Sequence, residues 1–337
     1  MTMPTVSPAV SGVGHYVPER IVTNDELAPL LGTTADWIFH KSGIRERRFA
    51  APGQTNAHLA LRASRQALAS AGLEPDALDM IVVATLSPDH FFPGVSAALQ
   101  AGLGVTRPIP AFDLHAQCGG FLYGLGVAEG LLLSGRYAHV LLVGSELQST
   151  GLDLSARGRE VSMLFGDGAG AMVLSQRAEG GQRPFVVELF ADGRFARELW
   201  MEAPGASLPA HRLTPEDIQA GRCFPAMEGK NLILHASRKL AHAARAAVER
   251  AGLTLGQVDW IVPHQANLHL LTALERALGV PAERVLKNIS SVGNTSAASI
   301  PIALSEAMAS GKIRRGHRIL LLGFGSGFTW GGCLFEY

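Results

Sequence analysis

The chain repeats itself, and the repeat limits the folds open to it more than any other feature. Ala71-Gly72-Leu73 recurs as Ala251-Gly252-Leu253, Leu78-Asp79 as Val258-Asp259, and Ile81-Val82 as Ile261-Val262, at an offset of 180 residues. Each copy follows a segment with apolar residues at helical spacing: Leu61, Ser64 and Leu68 in the first, Leu240, Ala244 and Val248 in the second. Gly72 and Gly252 are the residue type that ends helices at least cost, and short apolar strands are predicted after them at 80–84 and 260–263. Further on, Ser134-Gly135 overlays Ser310-Gly311, and Val140–Gly144 overlays Ile319–Gly323. Strands alternating with helices predict mixed or parallel sheets covered by helices, in two similar α/β halves. The polar, Gly-rich stretch from Gln176 to Pro184 divides them, giving halves of residues 1–180 and 181–337.

Bulk properties leave room for such a duplication. A chain of 337 residues with 47% hydrophobic and 17% charged residues can bury a large core. Basic and acidic residues balance at 29 each, so no general attraction to nucleic acid or to a membrane surface is expected. Cys118, Cys223 and Cys333 are odd in number, widely spaced and free of any CxxC pair, which argues against a disulfide framework and a zinc or redox motif. The segment from Met1 to Val10 lacks the basic start and long apolar run of a signal peptide, and no stretch reaches the roughly 20 apolar residues of a membrane helix. The expectation is a soluble, cytoplasmic α/β protein.

Three segments carry candidate chemistry. Cys118, in Phe112-Asp113-Leu114-His115-Ala116-Gln117-Cys118-Gly119-Gly120-Phe121, lies between a short apolar segment and a long Leu/Gly/Ala-rich helix. Unpaired N–H groups and the helix dipole at such a turn favour a thiolate, although a buried structural cysteine fits the same segment. His264 ends an apolar strand in Val262-Pro263-His264-Gln265-Ala266-Asn267, where α/β proteins place ligand-facing groups. Its five-residue separation from His269 is wrong for the HExxH zinc spacing, so no metal site is expected. Asn294 lies in Gly293-Asn294-Thr295-Ser296-Ala297-Ala298-Ser299, which by itself reads equally as a turn with a helix cap. Cys118 and Asn294 each lie 16 residues before the matched Ser134 and Ser310, which predicts that pseudo-symmetry sets them at neighbouring helix starts. The C-terminal Gly323-Phe324-Gly325-Ser326-Gly327-Phe328-Thr329-Trp330-Gly331 follows a strand without opening a helix. It suits exposure of backbone N–H groups to an oxyanion better than a phosphate loop. Phe165-Gly166-Asp167-Gly168-Ala169-Gly170 reads as a strand-connecting turn.

Together these segments resemble the β-ketoacyl-acyl-carrier-protein synthase III family of the thiolase superfamily, over nearly the whole chain from Trp37 through Gly43-Ile44-Arg45-Glu46-Arg47 to Phe328-Thr329-Trp330-Gly331. The resemblance implies a five-layered αβαβα fold, usually in a homodimer, and no cofactor beyond its thioester substrates. It implies that Cys118 takes the acyl group from an acyl-CoA, with His264 and Asn294 as catalytic partners. A malonyl thioester on acyl carrier protein then loses CO2, and its carbanion attacks the acyl carbonyl, starting fatty-acid synthesis. Backbone N–H groups of Cys118 and Ser326 would form the oxyanion hole, Ser326 replacing the family's usual Gly. Trp37 matches a residue that stacks on adenine, Arg157 a basic residue near the nucleotide, and Asn267 a residue of the pantetheine tunnel. Phe92 matches one that enters the partner's acyl pocket.

Departures from the family pattern concern the substrate. Lys41 and His269 stand where Arg is usual, and Lys lacks the planar fork of Arg. Leu234 and Glu275 stand where Lys is often found, although Arg238, Lys239 and Arg276 lie nearby. Gln117 replaces the commoner Ala, as in relatives that make quinolone signals by anthraniloyl transfer. A specialised condensing enzyme or acyltransferase of secondary metabolism or signalling is therefore the alternative. A degradative thiolase resembles a pattern with a second cysteine where this chain has Phe324. A non-catalytic thiolase-fold subunit commonly lacks the nucleophile that Cys118 supplies.

Overall fold

The computed structural model describes residues 6–178, 184–208, 213–227 and 232–337. The expected boundary between residues 180 and 181 lies outside the described residues. Two sheets organise the chain. The first has the spatial order Val6–Tyr16, Gly168–Ala178, His139–Glu146, Met80–Ala84, Ala111–Leu114. The second has the order Phe185–Ala191, Thr329–Glu336, Arg318–Gly325, Trp260–Pro263. Reading across either sheet, the first two pairings are antiparallel and the next parallel. The first sheet adds a parallel edge strand, Ala111–Leu114, while the second has only a single bridge from Ile261 to Val285 at that place.

Strand side chains alternate between faces, so a strand covered on both faces reads as a continuous apolar run. Ile81 and Val83 pack outward with Leu141, Val143, Ala171 and Val173 beneath the helix Asn56–Ala71 and the helix Val95–Leu103. Val82, Val140, Leu142, Met172 and Leu174 face the opposite way. There they meet the helices Gly120–Leu133 and Ser299–Ala309, and through them Ile319 and Leu321 of the second sheet. Leu320, Leu322 and Leu334 in turn face the helices Leu232–Arg250 and Leu268–Leu278. The layers run helix, sheet, helix pair, sheet, helix, the five-layered arrangement that the family resemblance implies. Gly72 and Gly252 take φ values of 67° and 66° after the helices they terminate, the left-handed cap that glycine adopts without strain.

The structure corrects one detail of the repeat. In each half a single 3₁₀ turn leads into the central helix, Gln117–Gly119 before Gly120 and Ser296–Ala298 before Ser299. Gln117 and Ser296 open these turns with φ of 49° and 48°, the two left-handed non-glycine residues among those described. They are 179 residues apart, as are Val140 and Ile319, whereas Cys118 and Asn294 are 176 apart. The structural counterpart of Cys118 is therefore Ala297, and Asn294 lies two residues before the second turn. The three-residue discrepancy comes from the helices, which have 14 residues in the first half and 11 in the second. A longer connection from Gly311 to the strand at Arg318 restores the register.

Among the described residues no helix is long and apolar enough to cross a membrane, and no group of three His, Cys, Asp or Glu side chains gathers as a metal site.

Candidate active site

Cys118 sits in the turn between the strand Ala111–Leu114 and the central helix Gly120–Leu133, with 6% of its surface exposed. Its Sγ lies 3.4 Å from Ser296 Oγ. Burial pushes the thiol up to about 11; the Ser296 hydrogen bond opposes that shift and the nearby Glu146 carboxylate adds to it. Cys118 also sits at the 3₁₀ turn that opens the central helix, where the sequence placed it.

His264 follows the strand Trp260–Pro263, held by its N–H on Leu322 O at 2.7 Å. Burial lowers its pKa to about 4, so the imidazole is neutral at physiological pH. Nδ1 lies 2.6 Å from Ser299 Oγ, which also accepts the Gln265 N–H at 3.3 Å. With one lone pair so occupied, the Ser299 hydrogen is free to donate to Nδ1, and in that tautomer Nε2 carries the ring proton. Asn294 is fixed by its main chain: its N–H donates to Leu164 O at 2.8 Å and its carbonyl accepts from Gly166 N–H at 3.0 Å. Its Oδ1 accepts from the Ser296 N–H at 2.9 Å, leaving the carboxamide NH2 as the free donor end.

The Gly-rich segment forms the turn between the strands Arg318–Gly325 and Thr329–Glu336. Gly325 lies against the backbone of the cysteine turn, and the Ser326 hydroxyl donates to Leu199 O. Ser326 is thereby anchored at the wall of the cavity that also holds Cys118.

One cavity of about 450 Å³ collects Cys118, His264, Asn294, Ser326 and Asn267. Its remaining wall is mostly apolar, with Leu199, Met227, Leu232, Phe324 and Phe328 among its members. Such a pocket suits an acyl or pantetheine-like chain meeting a few convergent polar groups. Asn267 caps the helix Leu268–Leu278 by accepting the His269 N–H at 2.8 Å, and its Nδ2 donates to Lys41 O at 3.0 Å.

The other expected contact residues do not line this cavity. Trp37 and Lys41 lie on the helix Ala35–Ser42, which Asn267 ties to the cavity wall. Lys41 and Arg159 stand over the Trp37 ring at 5.9 and 5.5 Å, forming an aromatic face with two cations. Arg157 is exposed and already engaged, its Nε on Asp153 Oδ2 at 2.6 Å and its Nη1 on Gln219 O at 2.9 Å. Phe92 is 83% exposed, away from the cavity of its own chain.

Three residues of the site escaped the sequence reading. Ser296 touches Cys118 and, through its N–H, Asn294; Ser299 holds His264; and Glu146 lies fully buried at the end of the strand His139–Glu146. The available signal for Glu146 was a lone carboxylate ending a run of buried apolar residues, Val140 to Val143.

The chain is similar to known proteins along nearly its whole length. The family profile described as 3-oxoacyl-[acyl-carrier-protein] synthase III matches residues 112–193, and its C-terminal counterpart matches residues 248–337. Beta-ketoacyl-[acyl-carrier-protein] synthase III of Cereibacter sphaeroides is 43% identical over 99% of this chain and 100% of its own. The crystal structure of 3-oxoacyl-[acyl-carrier-protein] synthase III from Aquifex aeolicus VF5 superposes with a TM-score of 0.88 at 36% identity, covering 98% of this chain and 100% of that one. The priming β-ketosynthase from the R1128 polyketide biosynthetic pathway gives 0.88 at 35% identity, covering 100% of this chain and 98% of that one. The chain belongs to the 3-oxoacyl-[acyl-carrier-protein] synthase III family of condensing acyltransferases.

Proposed function

We propose that this enzyme joins an acyl-CoA primer to malonyl-acyl carrier protein by decarboxylating condensation, giving the 3-oxoacyl thioester that starts fatty-acid synthesis. The observation that carries the reading is the convergence of Cys118, His264, Asn294 and Ser326 on one largely apolar cavity. In the first stage the Cys118 sulfur attacks the thioester carbonyl and CoA leaves, so the acyl group is held on Sγ. The tetrahedral oxyanion takes hydrogen bonds from the Cys118 and Ser326 main-chain N–H groups.

In the second stage a malonyl thioester loses CO2. The enolate so formed needs hydrogen-bond donors rather than a strong base. A neutral His264 with hydrogen on Nε2 and the Asn294 carboxamide both supply them, each typically worth ~10²–10³ in rate. The carbanion attacks the acyl carbon and expels the Cys118 sulfur. Asn267 steadies the pantetheine arm at the cavity wall, while Trp37, Lys41 and Arg157 receive the nucleotide end of CoA outside it. Phe92 completes the acyl pocket of a partner subunit in a homodimer, and its exposure supports that assignment. The two halves, residues 1–180 and 181–337, act as one cytoplasmic enzyme.

A second reading, priming of a specialised pathway, is favoured by the likeness to the R1128 priming β-ketosynthase together with Gln117 and Lys41. Intact-mass analysis after incubation with a series of acyl-CoAs tests the common core: one acyl group on Cys118 is expected, and no adduct from any of them refutes it. Product analysis with malonyl-acyl carrier protein and malonyl-CoA then separates the two readings by primer and carrier.

A further inference from the structure

A buried carboxylate stands one hydroxyl away from the nucleophile. Ser296 Oγ is 3.4 Å from Cys118 Sγ and 3.1 Å from Glu146 Oε1. Glu146 has no exposed surface and forms no ion pair among the described residues. Its other neighbours are neutral: Ser87 Oγ at 2.5 Å, Gln148 Nε2 at 3.2 Å, Thr85 Oγ1 at 3.4 Å, and the N–H groups of Leu86 (3.2 Å) and Ala297. The titratable group that shares its surroundings is the Cys118 thiol, whose ionisation Glu146 opposes.

We propose that Glu146 takes up the Cys118 thiol proton through the Ser296 hydroxyl during acylation, stores it through the acyl-enzyme stage, and returns it when condensation frees the sulfur. Glu146 acts through Ser296 and touches no substrate, so this deepens the acyl-Cys118 reading and rests on it. In the first step the S–H bond breaks and a Glu146 O–H bond forms, as Ser296 passes on its own proton and takes that of the thiol. The sulfur lone pair bonds the acyl carbon, and CoA leaves with its electron pair as a thiolate that solvent protonates. The buried site carries one negative charge before this transfer and one after it, held first on the carboxylate and then on the sulfur. In the second step the malonyl carboxylate leaves as CO2, the enolate bonds the acyl carbon, and the C–S electron pair returns to Cys118. The stored proton then passes back to sulfur and Glu146 is again a carboxylate.

Two buried acids this close cannot both ionise cheaply, so they titrate as a pair sharing one charge. Burial raises Glu146 to about 7 against the pull of its hydrogen bonds, leaving both its forms accessible near neutral pH. Below that value it already holds a proton and cannot accept another.

Single-turnover acylation, followed by intact mass between pH 6 and 9, tests this on the full chain. The wild-type rate should rise with pH to a plateau above about 7. In Glu146→Gln and in Ser296→Ala it should fall roughly 10²-fold and keep rising beyond pH 8, since neither variant can accept the proton by this route. Infrared difference spectra of the wild type should gain, on acylation, a carboxylic-acid C=O band that shifts in D2O and is missing in Glu146→Gln. Wild-type-like pH profiles in both variants, or acylation of the wild type without that band, would overturn the proton store while leaving acyl-Cys118 intact. No acyl-Cys118 in the wild type would overturn both. Should Glu146→Gln fail to fold, the Ser296→Ala profile and the wild-type band decide.

Discussion

Gly325 packs directly onto the backbone of Cys118. A Cβ built on it would lie 3.1 Å from Cys118 N and 2.7 Å from Gly119 N. Both obstacles are main chain, so no side chain can swing away to make room. Gly325→Ala must therefore displace either the cysteine turn or the strand end carrying Ser326. Overpacking of this kind costs about 1–3 kcal/mol of stability. Loss of one oxyanion donor costs roughly 10²–10³ in rate. Intact-mass acylation kinetics beside a thermal melt should show a modest drop in Tm and a far larger drop in rate.

Ser299→Ala should separate the two half-reactions. The hydroxyl holds the His264 ring through Nδ1, and it has no bond to Cys118. Decarboxylation of malonyl thioester should slow by about 10²-fold, the cost of a roughly 1 Å misplacement of a catalytic group. Acyl transfer to Cys118 should change much less. CO2 release and adduct formation, measured side by side, check the split; equal losses in both contradict the assignment.

The His264 environment makes a signed pH prediction for stability. The folded pKa is lowered to about 4 from 6.5, so between these values the unfolded chain binds more protons than the native one. Stability therefore rises with pH across that window and is lost as pH falls through it. Urea unfolding of the wild type at pH 4.5 and 7 should show the decrease, and His264→Asn should flatten that share of the slope.

Arg47 is fully buried, and among the described residues no carboxylate forms an ion pair with it, although the charge of Glu46 acts on it. Its guanidinium donates to Asn24 Oδ1 at 2.8 Å, Val22 O at 3.3 Å and Met163 O at 2.9 Å. Burial lowers its pKa to about 10, which still leaves it charged at neutral pH. Arg47→Met removes a buried cation but strands three acceptors, and the second effect wins by about 2–4 kcal/mol. The Leu164 carbonyl, next in the chain to Met163, accepts the Asn294 N–H, so condensation should weaken together with the urea midpoint.

Local pattern carried much of this architecture. The strands at Met80–Ala84 and Trp260–Pro263 fall where the repeat predicted them, because continuous apolar runs after a helix-ending glycine leave little choice. His264, at the end of one of them, lines the cavity as its position in the sequence implied. The Cys118–Asn294 equivalence failed by three residues because it was measured from Ser134 and Ser310, beyond helices of unequal length. Glu146 and Ser296 were illegible for a different reason. They are 150 residues apart, and no local spacing says that a hydroxyl from one half will meet a carboxylate from the other. The burial of Cys118 was illegible likewise, since it depends on the assembled layers rather than on the turn.

Ala297 occupies the seat that Cys118 holds in the other half, and it is almost completely buried. Its carbonyl abuts Gly144 so closely that a methyl group on Gly144 could not be accommodated, and its N–H bonds the Glu146 carboxylate. A duplicated chain with two working seats would have to open its interior from both sides. Here the second copy carries no reactive group and serves as the masonry behind the first, so that thioesters have a single address.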